Sequence, residues 1–325
     1  MMARLASTID QVLEATIVGS FTASGIAARK RLADWNSFSP MAGSNVLVTG
    51  GTSGIGRATA AALYGLGADV IITSRSRDRA DSVSGEIDEA DGDGSVRGAA
   101  LDTADFGSIN ALVDEVVAEF GTIDVLVNNA GALTDEYQTN NDGMELTLAS
   151  HLVGPYHLTT SLRPHLNAGA RVLWMSSGGM YTQGLEVDAL EMSEDDFRGA
   201  VAYARAKRGQ VELVAQLGPE WAPEVVMHAM HPGWVDTDGV DQGLPGFSKI
   251  MGPLLRSAEQ GADTMVWLAS GGGDDESPGS FFLDRKPRGT AYLPGTSTDD
   301  AERQKLIEWL ELVTLPARSS DALNR

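Results

Sequence analysis

The chain has 325 residues, 42% of them hydrophobic and 21% charged, a formal net charge of −21 and no cysteine. That length suits one large α/β domain or two smaller ones, and the composition is that of a soluble globular protein. The missing thiols exclude disulfides, thiolate metal sites and cysteine nucleophiles, and the acidity argues against nucleic acid or an anionic membrane as partner.

Residues 1–44 precede the first strand as an amphipathic extension. Leu5, Ile9, Val12, Leu13 and Ile17 fall on one helical face, with Ser7, Asp10, Gln11 and Glu14 on the other. Residues 25–32 then carry the basic cluster Arg29, Lys30 and Arg31. This extension is expected to pack on the domain's own surface in preference to a membrane or a partner. Residues 1–21 lack a continuous apolar core behind a basic start, so no secretory signal is expected and the location should be cytoplasmic.

Residues 45–49 (NVLVT) form a β-branched apolar run, as in a parallel strand buried on both faces. Gly50, Gly51, Gly54 and Gly56 follow, and residues 57–65 are alanine-rich helix formers. Strand, glycine turn and helix N-terminus together make a site for a phosphate. Further strands are predicted over residues 68–74, 96–101, 123–127, 170–175 and 225–230, with a short seventh over 280–283. Helices are predicted over 77–90, 108–120, most of 143–166, from about Ser193 (with Asp196 as its capping partner), and 258–268. The alternation predicts a Rossmann-type doubly wound α/β fold of about seven strands, in a single domain over residues 45–325.

Tyr203 and Lys207 lie four apart and so share one helix face. A nearby ammonium lowers the pKa of a phenol, which fits the pair for proton transfer in an alcohol–ketone interconversion. Ser177 follows the fifth strand, on the ligand edge of the sheet, where a hydroxyl can bond a substrate oxygen; Ser176 is a second candidate. Asn128 and Asn129 alone indicate a turn.

Taken in order, TGGTSGIG (49–56), Asp102, NNAG (128–131), MSSGG, YARAK and HPGWVDT (231–237) resemble the short-chain dehydrogenase/reductase family. SSGGM, HPGW and FFLDRKP add a closer similarity to the branch of family member 12 and the retinol-dehydrogenase-like members. The resemblance implies a dinucleotide-dependent oxidoreductase with Tyr203 as acid/base, Lys207 holding the nicotinamide ribose, and Ser177 polarising the substrate oxygen. It places the cofactor along Gly50, Thr52, Ser53, Gly54, Ile55, Gly56 and Arg57, then Asp102, then Asn129, Ala130 and Gly131. The carboxamide would lie beside Pro232, Gly233, Val235 and Thr237. In the place of the asparagine that many members carry, this chain has His151, expected to act as its substitute.

Ser74 and Arg75 stand after the second strand, where an NAD-selective site would carry Asp or Glu. With Arg57 they predict NADP(H), a 2′-phosphate being held by charge-assisted bonds; the alternative is an Arg75 that merely faces solvent. A lipophilic carbonyl or secondary alcohol is suggested by Leu244, Phe247, Ile250, Met251 and Leu254. We further expect a homo-oligomer. The rival readings are a catalytically weak nucleotide-binding protein with His151 marking a degenerate site, and a sugar-nucleotide epimerase, disfavoured by the extra residue between Gly50 and Gly54.

Overall fold

Side-chain alternation along the central strands divides the apolar residues between two cores. Leu47, Ile71, Leu126, Val172 and Trp174 point to one face, and Val46, Val48, Ile72, Val125, Val127 and Leu173 to the other. A strand buried on both sides needs helices on both sides. The computed structural model, which describes residues 2–14, 16–33, 35, 37–90, 92–131, 134–236 and 252–322, shows that arrangement. Eight strands, β1 (Asn45–Val48), β2 (Asp69–Ser74), β3 (Ser95–Ala100), β4 (Ile123–Asn128), β5 (Leu166–Met175), β6 (Val225–Met230), β7 (Phe281–Leu283) and β8 (Lys286–Pro287), make one sheet. Their order is β3-β2-β1-β4-β5-β6-β7-β8, parallel except for the antiparallel β7–β8 pair. The chain winds outward from β1 in one direction and returns to β4 on its other side. The C-terminal ends of β1 and β4 are therefore the switch point where such sheets bind ligands.

Helices α1 (Met2–Glu14), α2 (Ile17–Phe21) and α3 (Ala23–Leu32) form the extension. Along the sheet follow α4 (Gly54–Gly65), α5 (Arg77–Asp88), α6 (Phe106–Phe120), α7 (Leu146–Leu148), α8 (Gly154–Leu162), α9 (Gly199–Trp221), α10 (Ala258–Ala269) and α11 (Asp300–Ala322). Local signals set several ends. Asp105 caps α6 by accepting from the Ser108 amide at 3.1 Å, and Ser257 with Gln260 forms a reciprocal capping box on α10.

The structure moves some boundaries. The helix expected from Ser193 starts six residues later, at Gly199. Ser193 and Asp196 do bond each other, at 3.1 Å, but they close an isolated turn. The chain then extends through Arg198, and Gly199 seats directly against the Thr134 carbonyl, where a Cβ would collide. The helical stretch expected from residue 143 starts at Leu146, capped by the buried Glu145 carboxylate, which accepts from the amides of Thr147 (2.6 Å) and Leu148 (2.9 Å). It passes through a π-turn, Ala149–Val153, before α8.

Strand β8 was not expected. Asp284 and Arg285, at φ 54° and 56°, make the two-residue hairpin turn before it, a conformation that favours glycine or asparagine. Ion pairs hold both: Arg285 binds Asp263 at 2.6 Å, and Asp284 lies between two guanidinium groups.

The extension packs on its own domain, with Phe21 and Ile26 buried and the acidic residues of α1 in ion pairs. Asp10 binds Arg29 (2.8 Å), Lys286 (2.7 Å) and Arg288 (2.8 Å), and Glu14 binds Arg29 and Arg288 (both 3.1 Å). These partners draw the Asp10 carboxyl well below the usual range against the opposing effect of burial. Val12, on the apolar face, stays 62% exposed. Arg29 of the basic cluster is buried. No described helix is long and apolar enough to cross a membrane.

Helix α11 also went unforeseen. Its Leu306, Ile307 and Leu310 join the core beneath α9, and its Arg303 binds the buried Glu212 of α9 at 2.8 Å. Leu310→Ala should therefore cost about 2–5 kcal/mol, the usual range for emptying a buried leucine site. Urea unfolding measures this, and a loss under about 0.5 kcal/mol, the range of surface substitutions, would place α11 outside the cooperative core.

Candidate active site

The glycine turn after β1 is a cradle built on backbone. Gly50 lies at φ +66° and Gly54 at φ +50°, conformations that disfavour a side chain. A Cβ on Gly56 would collide with the Gly50 carbonyl and the Asn129 amide. The amides of Gly50 and Gly51 are taken by Thr73, at Oγ1 and the carbonyl respectively, both at 3.1 Å. Helix α4 has no side-chain cap at Ser53, so its first amides face the ligand edge ready for an anion. Thr49 Oγ1 accepts from the amides of Asn129 (2.9 Å) and Ala130 (3.0 Å) and donates to Val127 O (3.1 Å). Asn129 Nδ2 donates to Thr49 O at 2.9 Å. Asn129 thus braces the cradle against β4; Thr52 and Ser53 belong to the turn itself, and Ile55 packs on the core.

At the far end of the cradle, Ser74 ends β2 and Arg75 follows it. Arg75 is exposed, and no ion pair to it occurs among the described residues. Arg57, expected beside it, is instead paired with Glu86 of α5 at 2.9 Å. Asp102 follows β3 and accepts from the Ala104 amide at 2.9 Å.

The catalytic candidates converge where β4, β5 and α9 meet. Ser177 and Tyr203 hydrogen-bond through their hydroxyls; burial raises the Tyr203 pKa, and this bond pulls it down. Ser176 turns inward instead, its hydroxyl donating to Lys207 O at 2.9 Å, which ties β5 to α9 and leaves Ser177 as the serine whose hydroxyl meets Tyr203. Lys207 Nζ sits 5.5 Å from the centre of the Tyr203 ring and donates to Met175 O at 2.7 Å. Burial pulls its pKa down to about 7. An ammonium has three donors, and among the described residues this one meets a single acceptor. A buried cation with donors to spare, beside a cradle that a Cβ would fill, fits a ligand carrying both hydroxyls and phosphates.

His151 lies in the π-turn, buried, its ring edge-on to Tyr203 at 5.1 Å and 88°. It presses on Gly131, where a Cβ would strike the imidazole. Its carbonyl accepts from the Gln210 amide, one turn beyond Lys207. After β6, His231 is buried in a cage of Phe21, Tyr181 and Phe281. Burial, with Arg256 next in effect, keeps it neutral. Pro232 and Gly233 follow, and Val235 bridges to Arg256. Thr237 lies outside the described residues, as do Leu244, Phe247, Ile250 and Met251.

With this geometry in place, comparison with known proteins is decisive. The short chain dehydrogenase family matches residues 44–244. The chain belongs to that family. Human dehydrogenase/reductase SDR family member 12 is 41% identical over 273 residues, 82% of this chain and 84% of that one. Human retinol dehydrogenase 14 is 31% identical over 84% of this chain and 87% of its own. A short chain dehydrogenase from Burkholderia cenocepacia J2315, solved in complex with NADP, superposes with a TM-score of 0.61 at 25% identity, over 74% of this chain and 96% of that one. As a short-chain dehydrogenase/reductase the protein is an NAD(P)-dependent oxidoreductase of alcohol and carbonyl groups, and its substrate is a small molecule.

Phe21, Arg256 and Asp284 had no place in the sequence reading of the site. The FFLDRKP motif did single out Asp284, but not the two arginines that reach it from 255 and 28 positions away.

The buried lysine has a measurable consequence. Its folded-state pKa lies below its unfolded value, so at and below pH 7 folding carries the full cost of burying an ammonium. Between about 7 and 10.5 the folded group loses its proton first, and stability rises with pH by up to about 1.4 kcal/mol per unit. Lys207→Met should remove that slope. Its advantage over wild type, measured by denaturant unfolding of the cofactor-free protein, should be largest near pH 7 and shrink toward pH 10. A pH-independent difference would contradict the burial argument.

Proposed function

We propose that the protein uses NADP(H) to interconvert a lipophilic carbonyl compound and its secondary alcohol. The observation that carries this reading is the contact of Ser177, Tyr203 and Lys207 at the C-terminal edge of the sheet, beside the glycine cradle. The bound nicotinamide supplies or accepts the hydride. In the reductive direction Ser177 would donate a hydrogen bond to the substrate carbonyl oxygen, and the Tyr203 hydroxyl would pass its proton to that oxygen. In oxidation the phenolate would take the alcohol proton back. Lys207, held by Met175 O, would stabilise the phenolate by its charge and bond the ribose hydroxyls with its remaining donors. His151 would fix the near side of the Tyr203 ring, the place of the asparagine in many relatives.

Arg75 supports the choice of NADP(H), since Arg57 is engaged with Glu86. The NADP bound by the Burkholderia relative agrees with it. A lipophilic substrate is supported by the Tyr137–Phe197 ring pair, 5.5 Å apart, on segments that meet where Gly199 abuts Thr134. Gly199 is one helical turn from Tyr203 and on its face, so this pair borders the substrate side.

Tyr203→Phe should lower kcat by roughly 10²–10⁴-fold, the worth of general acid–base catalysis, with NADPH affinity within a few-fold of wild type. His151→Asn should keep substantial turnover. The assay follows NADPH absorbance with a panel of lipophilic ketones and aldehydes. Full activity of Tyr203→Phe would sink the assignment, and a wild type that binds NADPH tightly yet turns over none of the panel would favour the weakly catalytic nucleotide-binding reading.

Arg75→Ala should weaken NADPH binding by about 10–100-fold, the loss of charge-assisted bonds worth about 1.5–3 kcal/mol, and leave NADH binding unchanged. Equal affinities of the wild type for the two cofactors, by fluorescence titration, would refute the preference.

A further inference from the structure

The segment before the first strand reaches into the catalytic end of the sheet. Helix α2 ends on Phe21, a buried residue of the main core. Its ring meets His231 at 4.6 Å and Trp234 at 5.8 Å between centres, on either side of Pro232 and Gly233. The same ring fills the space over Gly178, where a Cβ would come within 2.8 Å of it, and Gly178 directly follows Ser177. The Phe21 carbonyl accepts from the Trp234 amide at 2.8 Å and from Arg256 Nε at 3.0 Å. One residue thus touches the backbone beside the reactive serine and both flanks of the Pro232–Gly233 turn.

A buried charge cluster fixes Phe21 in that place. Arg256 donates to Ser20 O at 2.8 Å and to Pro232 O at 3.0 Å, and it grips Asp284 with bonds of 2.6 and 2.9 Å. Asp284 also accepts from Arg29 at 2.7 Å, and Arg29 donates to Ser20 Oγ at 2.9 Å. Gly233, at φ +79°, lies so close to Arg256 and to the Phe21 carbonyl that no side chain fits. The turn is therefore moulded on the N-terminal segment and not on the sheet alone. Every donor of the Arg256 guanidinium that the structure engages ends on the segment, the turn or Asp284.

From this arrangement we infer that the N-terminal segment is a working part of the active site, in which Phe21 is a positioning residue for the Pro232–Gly233 turn and for the backbone at Ser177. The inference rests on the proposed reading that this turn receives the cofactor carboxamide. Loss of the ring opens space on both sides of the turn and frees the backbone after Ser177. Both cofactor affinity and turnover then suffer, because misplacing reacting groups by about 1 Å can cost about 10²-fold.

The test is Phe21→Ala in the full chain, with Phe21→Leu as the milder variant that keeps most of the volume should the alanine protein not fold. Three quantities are read well below each variant's Tm: NADPH Kd by fluorescence, kcat on a ketone that the wild type reduces, and amide exchange over residues 176–180 and 231–236 without cofactor. For Phe21→Ala the expected result is a kcat lower by about 10–100-fold, a Kd raised about tenfold, some 1.4 kcal/mol, and faster exchange in both stretches. Phe21→Leu should lie between it and wild type on all three. A folded variant with lowered Tm but wild-type kcat, Kd and exchange overturns the inference alone. A wild type that binds neither NADPH nor NADH overturns the parent reading, and this inference falls with it.

Discussion

The Asp284 carboxylate is the point on which the catalytic half of the molecule closes. Its side chain is 1% exposed and lies between two guanidinium groups, those of Arg29 in the N-terminal segment and of Arg256 just before α10. Carboxylate burial on this scale is tolerable only with full pairing, and removing one partner of a buried pair typically costs about 3–5 kcal/mol. Three remote pieces of chain are consequently obliged to meet. The unusual backbone of Asp284 follows from the same constraint. A two-residue turn at positive φ aims the carboxylate inward, and the ion pairs offset its strain.

A second desolvated charge sets the chemistry. Lys207 is buried next to Tyr203, and burial works against both charged forms, lowering the lysine and raising the tyrosine. An ammonium at Lys207 and a phenolate at Tyr203 would each favour the other. A group that brings hydroxyl acceptors to Lys207 would likewise favour its charged form. Ser177 contributes the one protein hydrogen bond that lowers the Tyr203 pKa.

Much of this was legible because the decisive signals are local. The glycine turn, the strand ends at Asn128, Ser177 and His231, and the Tyr203–Lys207 spacing each encode a conformation within a few residues. With the alternation of strands and helices, they correctly predicted a doubly wound sheet with a parallel core. Reading failed where meaning depended on distant partners. Arg29 was read as one member of a basic cluster in the extension, and only the fold shows that it is buried against Asp284. Val12 and Asp10 were assigned to opposite faces, and the ion pairs of Asp10 with Arg288 and Lys286 join positions too distant for a local pattern to reveal. Ser193 with Asp196 had the spacing of a helix cap, but they close an isolated turn and the helix starts at Gly199. The apolar stripe of α11 is readable at Leu306, Ile307 and Leu310, whereas its partner surface on α9 is not.

The histidine in place of asparagine is the departure that bears most on whether the site is intact. Decay of a site leaves mismatched volumes and unsupported groups, since nothing maintains their packing. Around His151 the volumes are matched. Gly131 supplies the room that the larger ring requires, the ring stands edge-on to Tyr203 in a favourable aromatic geometry, and Gln210 takes the carbonyl exposed at the π-turn. π-Turns are rare but frequent at functional positions, and this one sets His151 against Tyr203. An imidazole so accommodated supports the catalytic reading over a degenerate one. It also changes the electrostatics open to the site: unlike an amide, an imidazole can carry a proton, and any charge it took up would lie across the Tyr203 ring from Lys207.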